Sequence, residues 1–301
     1  MDGTAQMTAK AVAPETVLAT PTVEAVDTRL ASLRAIYIIW YRDILRYWRD
    51  RWRLVASLAQ PLLFLIVFGS GLSSALGRGS LFGSAGGFTY IQFMYPGIIG
   101  MAILFTAIFG AMSIVWDREF GFLKEVLVAP IDRSAVAIGK ALGSTTQAMI
   151  QGLILLVLAP FVGVKLNLLT VIELIPLAAV LAFGLSSFGV ALASSMKSLQ
   201  GFQVVMNFLM MPMFFLSGAL FPLTNLPGWM TVLTRIDPAS YGIDPLRRVV
   251  LSDSGRSSAL VDRFALTING QVLAVPLEAG IVLAFGAVML GIAVMMFQRR
   301  D

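Results

Sequence analysis

The apolar positions of this chain fall in long unbroken runs, and the charged positions lie between them. Six intervals contain no Asp, Glu, Lys or Arg: 54–77, 79–116, 141–164, 174–196, 198–234 and 279–298. About 20 apolar residues suffice for a helix to cross a bilayer, and every one of these intervals reaches that length. Barrel strands alternate apolar with polar positions, whereas these runs are apolar throughout. Backbone that must satisfy its own hydrogen bonds in lipid is then helical. The pattern predicts an all-α polytopic membrane protein with six transmembrane helices, at about 54–76, 92–116, 135–164, 172–196, 201–220 and 277–297.

The segments between the runs have their own patterns. Residues 1–28 are small and polar with prolines, without the apolar stretch of a signal peptide, and predict a disordered cytoplasmic tail. Residues 29–53 read as an interfacial amphipathic helix. Leu33, Ile36, Tyr37, Trp40, Ile44, Tyr47 and Trp48 share one face, and Arg42, Arg46, Arg49 and Arg53 the opposite one, with Asp43 and Asp50 beside them. Two readings stay open for it, a lipid anchor alone or an anchor that also meets a cytoplasmic partner.

The loop 117–130 reads as a short cytoplasmic helix. Asp117 can cap its start and Pro130 stops it. Phe120, Phe122, Leu123, Val126 and Leu127 form its apolar face, into which Glu119 projects. It is either a tether between spans or a docking helix for a cytoplasmic protein. The long segment 221–276 predicts two short external helices, 227–235 and 238–250, too short to span and dipping back into the outer leaflet. Asn269-Gly270 between two alternating runs predicts a type I′ hairpin.

Composition sharpens this picture. The 301 residues are 57% apolar and 13% charged, with mean hydropathy +0.83. A soluble domain carries about 25% charge, so a soluble enzyme and a DNA-binding domain are excluded. The chain has no His and no Cys, which removes imidazole catalysis, thiol nucleophiles and disulfides. No catalytic, cofactor or metal-binding set is expected. The net charge of +5 reflects basic residues flanking the spans, so no nucleic-acid partner is expected. Counted by side, 15 Lys and Arg lie with the termini and 7 on the other face, 2 of those in short loops. Both termini are therefore expected in the cytoplasm of a bacterial inner membrane, with 221–276 outside.

Candidate chemistry is sparse. The only Gly-Lys, Gly139-Lys140, is followed by Ala141 and lacks the phosphate-binding pattern of an ATPase, so this chain is not expected to hydrolyse ATP alone. No charge is expected inside the spans. That weighs against the alternative of an ion-coupled secondary multidrug transporter, which needs buried ionisable groups. Span five carries Met206, Asn207, Met210, Met211, Met213 and Phe214. Thioethers repack around varied apolar surfaces, which makes Asn207, Met210, Met211 and Phe214 candidates for a translocation pathway, against the plainer reading of core or lipid-facing side chains. Gln147 and Gln151 share a face of span three, for interhelical hydrogen bonds or for substrate. The outer acids Asp237, Asp244, Asp253 and Asp262 read as caps and loop residues.

Two motifs carry a resemblance. Glu119-x-Gly121-x-Leu123-x-Glu125-x-Leu127-x-x-Pro130 resembles the loop of ABC-2-type export permeases. Ser217 through Phe221-Pro222 and Leu226-Pro227, then Pro238, Tyr241, Asp244 and Arg247, resembles that family's second hallmark. The order of elements matches over residues 30–300, most nearly in the daunorubicin-resistance and nodulation-factor export branch. Phe122, where the family often has a small polar residue, and the Lys124-Glu125 charge pair depart from its pattern, and the loop after Leu251 is longer than expected.

The resemblance implies a half-transporter: two permease copies, or one and a close relative, form a pathway in the lipid, and two separate ABC ATPase subunits bind ATP and Mg. It assigns Asp117, Glu119, Phe120, Gly121, Leu123, Glu125, Leu127 and Pro130 to ATPase coupling. It assigns Phe221, Pro222, Pro227, Tyr241, Asp244 and Arg247 to an external gate. The substrate would be an amphipathic, lipid-like or drug-like compound.

Overall fold

The computed structural model of the chain describes residues 28–76, 89–121, 132–164, 166–224, 226–253, 261–262, 264–268 and 271–299. The tail 1–27, the docking positions Leu123, Glu125, Leu127 and Pro130, and the turn Asn269-Gly270 lie outside them.

Ten α-helices, one 3-10 turn and one hairpin follow in order among the described residues: α1 Thr28–Arg49, α2 Arg51–Leu76, α3 Tyr90–Gly110, α4 Met112–Glu119, α5 Arg133–Leu158 with the 3-10 turn Ala159–Val162 at its end, α6 Leu168–Ser195, α7 Leu199–Leu216, α8 Gly228–Ile236, α9 Pro238–Ser252, the strands β1 Thr267–Ile268 and β2 Gln271–Val272, and α10 Val275–Arg299. Six apolar helical stretches are long enough to cross a membrane, α3 and α4 forming one of them, from Tyr90 to Glu119.

The first amphipathic helix does not run to Arg53. It ends at Arg49, and the Asp50 carboxylate accepts the Arg53 backbone N–H at 3.1 Å, as an N-cap does, to start α2. The second span does not end at Trp116. It bends at Ala111 and continues through Asp117 to Glu119. Asp117 is therefore inside a helix and not a cap. The two outer helices lie where the prolines predicted them. The hairpin pairs Thr267 with Val272 and Ile268 with Gln271, antiparallel, around the Asn-Gly position.

Helix α3 is the axis of the bundle. Seventeen of its 21 residues are buried, and α2, α5, α6 and α9 pack around it. Close approach requires glycine at Gly97, where a Cβ would overlap the Ala219 carbonyl. Helix α10 packs along α6, and α1 lies along α5. The outward faces are apolar, as lipid requires: Val157, Phe161, Phe208, Val288 and Ile66 are all exposed.

The spans are not free of charge. Asp117, Lys140 and Glu278 are all buried in the spanning helices. Each stands directly beside a charge-free interval, and the helices run on past the ends of those intervals.

Candidate functional site: charge network, spanning face and lid

At the α1 end, the buried stripe of α1 is Ala35, Ile39, Asp43 and Tyr47, at strict four-residue spacing. Asp43 thus faces the bundle and not the arginine face. The Lys140 ammonium of α5 lies 3.2 Å from Asp43 Oδ2 and 2.8 Å from Asp117 Oδ2, and donates to Ser113 Oγ at 3.1 Å. Arg42 reaches the same Asp117 oxygen at 3.2 Å. An isolated ion here would be costly, and the network repays its desolvation only as a set. It ties α1, α4 and α5 together.

The two glutamines of α5 complete the seam with α1. Gln151 Oε1 accepts from Tyr47 Oη at 3.0 Å and from Ser57 Oγ at 3.1 Å, and Gln147 donates to the Asp43 carbonyl at 3.4 Å. Both make interhelical bonds. Arg34, Arg46, Arg49, Arg51 and Arg53 are exposed. Arg46 lies 6.0 Å from the Trp116 ring centroid, and Arg53 donates to the Phe109 carbonyl at 3.4 Å.

The last turn of α4 grips its neighbours. Arg118 donates to the carbonyls of Ser194, at 3.1 Å, and Met196 at the end of α6. Those are terminal carbonyls that lack partners within their own helix. Glu119 Oε2 accepts the Leu199 N–H at 2.8 Å, the first residue of α7. A carboxylate suits the positive end of a helix. Glu119 is exposed at the end of α4, and the chain turns after it at Phe120 and Gly121, where Gly121 has φ +83°; the apolar positions from Phe122 to Leu127 lie outside the described residues. Phe120 is exposed, and its ring lies tilted against that of Trp116 with centroids 5.1 Å apart.

On α7 the four pathway candidates straddle a boundary. Met210 and Phe214 are buried in the core with Met206 and Met213, while Asn207 and Met211 face outward. Only the last two lie where a molecule outside this bundle could touch them.

At the opposite end α9 forms a lid over α3 and α6. Arg247 is fully buried, donates to the Gly218 carbonyl and lies 4.3 Å over the Phe93 ring. Gly218, at φ +75°, turns that carbonyl inward after α7. Asp244 Oδ2 accepts the Leu266 N–H at 3.0 Å, anchoring the chain before the hairpin. Tyr241 donates to the Arg235 carbonyl at 2.7 Å, and Arg235 donates to that of Thr267 at 3.1 Å. Arg248 donates to the Leu273 carbonyl at 2.5 Å and lies 3.9 Å from the buried Glu278.

Burial raises the Asp244 carboxyl above its ordinary range, opposed by Arg247 beside it. Burial lowers the Arg247 guanidinium to about 10. Asp237 caps α9 through the Ala239 N–H at 2.9 Å, and burial pushes its carboxyl up to about 7. Of the other gate candidates, Phe221 and Pro222 are half-buried, and Pro227 is exposed at the start of α8. Asp253 accepts the Asn167 N–H at 2.7 Å, and Asp262 lies 3.8 Å from Arg248. The outer acids serve as caps and loop anchors.

The sequence that builds this six-span bundle is similar to known proteins. The profile of the ABC-2 type transporter family matches residues 34–251. The chain belongs to that family. Among its relatives, the ycf38 protein of Cyanophora paradoxa is 30% identical over 254 residues, 82% of this chain and 85% of that one. Nodulation protein J of Rhizobium leguminosarum bv. trifolii is 26% identical over 224 residues, covering 74% and 80%. The inner membrane transport permease YadH of Escherichia coli K12 is 26% identical over 219 residues, covering 71% and 81%. As an ABC-2 family member the chain is a transport permease embedded in a membrane. The ABC-2 match begins within α1, takes in the charge network and α7, and ends within the last turn of α9.

Sequence reasoning missed the network on Lys140. The available signal was Asp43, a carboxylate standing in the four-residue stripe of Ala35, Ile39 and Tyr47.

Proposed function

We propose that the chain is the permease subunit of an ATP-driven exporter. It works as one of a pair with a second copy or a close relative, and two separate ABC ATPase subunits bind ATP and Mg. It moves an amphipathic, lipid-like or drug-like compound out of the cytoplasm or the inner leaflet of a bacterial inner membrane. The α1 end and both termini face the cytoplasm, and the lid faces outward.

The observation that carries this reading is the grip of the α4 end. Arg118 holds the end of α6 and Glu119 the start of α7. A push on the segment that follows Gly121 would therefore be transmitted to spans four and five together, and through Asp117 and Lys140 to α1 and span three. An ATPase docked there has a non-slipping lever.

Ion coupling is less well supported. Lys140 is clamped between two carboxylates, a structural arrangement more than a carrier of mobile protons.

The test is transport in reconstituted vesicles of the permease with its ATPase. ATP added on the ATPase side should drive a fluorescent amphiphile across, and collapse of the proton gradient should leave the rate unchanged. Uptake driven by a pH gradient with the permease alone contradicts the reading.

A further inference from the structure

Three cavities at the α1 end share walls and form one groove. The first, about 420 Å³, lies between α2 and the α3–α4 bend and is walled mainly by Ala56, Pro61, Met101, Phe105 and Phe109. The second, about 200 Å³, shares Tyr47, Arg53 and Met112 with it. The third, about 890 Å³, shares Arg46, Asp50 and Trp116 with the second and opens along α1 past Arg42 and Arg49.

The groove is graded along its length, apolar between the spans and basic at the interface. Among the described residues, no carboxylate pairs with Arg46, Arg49 or Arg53, whereas Asp43 and Asp117 are committed to Lys140 and Arg42. Asp50 is the one other carboxylate on the wall, and it caps α2. Trp116 and Tyr41, at the basic end, are residue types that sit at headgroup depth.

We propose that this groove is a binding site for an anionic amphiphile. A phosphate or carboxylate headgroup is held by Arg46, Arg49 and Arg53, and an acyl or isoprenoid chain lies against Phe105, Phe109 and Met101. Guanidinium groups bind such oxyanions with paired, charge-assisted hydrogen bonds. The apolar cleft supplies the burial that a free inorganic anion cannot use. The inference rests on the exporter reading for its biological sense, since it narrows the cargo, or the lipid that accompanies it, to anionic amphiphiles. The binding itself stands apart from ATP.

The test uses the full chain in phosphatidylcholine nanodiscs. A photoactivatable phosphatidic acid is compared with a photoactivatable phosphatidylcholine carrying the same chains, and labelled peptides are mapped. Labelling of residues 53–61 and 101–112 should favour the anionic probe by about tenfold, the factor expected for one lost charge-assisted contact. Arg46→Gln/Arg49→Gln/Arg53→Gln should abolish that preference. Arg34→Gln, on α1 but outside the groove, should leave it unchanged. All four side chains are exposed, so the fold is not at stake.

Equal labelling by both probes overturns the proposal. So does an equal loss in Arg34→Gln, which would reduce the effect to general surface potential. Displacement of the lipid probe by excess inorganic phosphate alone would make this a site for a free anion and also contradict it. A groove covered by a second copy would crosslink between copies through cysteine introduced at Ala56 and exclude both probes, which likewise overturns the proposal. If labelling is as expected but ATP drives no export, the exporter reading fails and the site stands. If ATP drives export but labelling shows no anionic preference, the site fails alone.

Discussion

Lys140 and Arg247 are both buried cations, one at each end of the bundle, and they are held in opposite ways. Lys140 is neutralised by side chains, Asp43 from α1 and Asp117 from α4. Arg247 donates to a backbone carbonyl, that of Gly218, and its neighbours Arg235, Tyr241, Asp244 and Arg248 also bond to backbone. Side-chain pairs join whole helices and depend on every partner charge. Side-chain-to-backbone bonds fix loops, and each one is nearly independent of the others. The α1 end thus joins whole helices through paired side chains, and the lid holds one loop geometry.

The largest effect should come from breaking the side-chain network. Lys140→Met leaves Asp43 and Asp117 buried without their shared cation and should cost about 3–5 kcal/mol, read as a fall in the unfolding midpoint in detergent. The triple variant Lys140→Met/Asp43→Asn/Asp117→Asn should regain most of that loss. A single variant as stable as the triple would erase the distinction between the two ends.

Next comes Arg247→Met at the lid. It leaves the Gly218 carbonyl unsatisfied and removes the contact over Phe93, for about 1–3 kcal/mol. Here Asp244→Asn should not rescue it, because the lost partner is backbone. Full rescue in the double variant would show that the lid, too, is a charge pair. Tyr241→Phe removes one bond to the Arg235 carbonyl and should cost about 0.5–1.5 kcal/mol in the same assay.

Asp237 gives an effect of a different kind, one that depends on pH. Its carboxyl is raised from 3.8 to about 7 in the folded state. The folded state thus favours the protonated form, and this contribution to stability is full below about 3.8 and is lost as pH rises through about 7. Asp237→Asn should flatten the fall in unfolding midpoint between those pH values while keeping the cap. Asp237→Ala should also lose the cap, about 1 kcal/mol. An unchanged slope in the Asn variant would place the titration elsewhere.

The six spans, the two outer helices and the hairpin position were legible because each has a strong local cause: unbroken apolar runs, Pro at helix starts, Asn-Gly between alternating residues. The seams were harder to read. A wheel ranks α1 by hydropathy and sends Leu33, Tyr37 and Trp48 to one face, and these are exposed, where lipid would cover them. The protein-facing stripe is instead chosen by fit, and it takes in Asp43 because Lys140 is waiting on α5. Lys140 and Asp117 looked like loop charges because they bound apolar runs, and only the third dimension brings them together. Asn207 and Met210 share an arc of α7, yet the edge of the core falls between them. The bond from Glu119 to the start of α7 joins residues 80 positions apart, beyond any local pattern.

The central claim is that the α4 end transmits ATPase movement to the spans, and substrate-stimulated ATP hydrolysis by the reconstituted complex tests it most directly. Glu119→Ala removes the hold on α7 from an exposed position. It should leave ATPase association intact and reduce stimulation and export at least tenfold, since each 1.36 kcal/mol of lost coupling is tenfold in rate. Wild-type stimulation and export in that variant would contradict the account, leaving the α4 end as a tether between spans two and three.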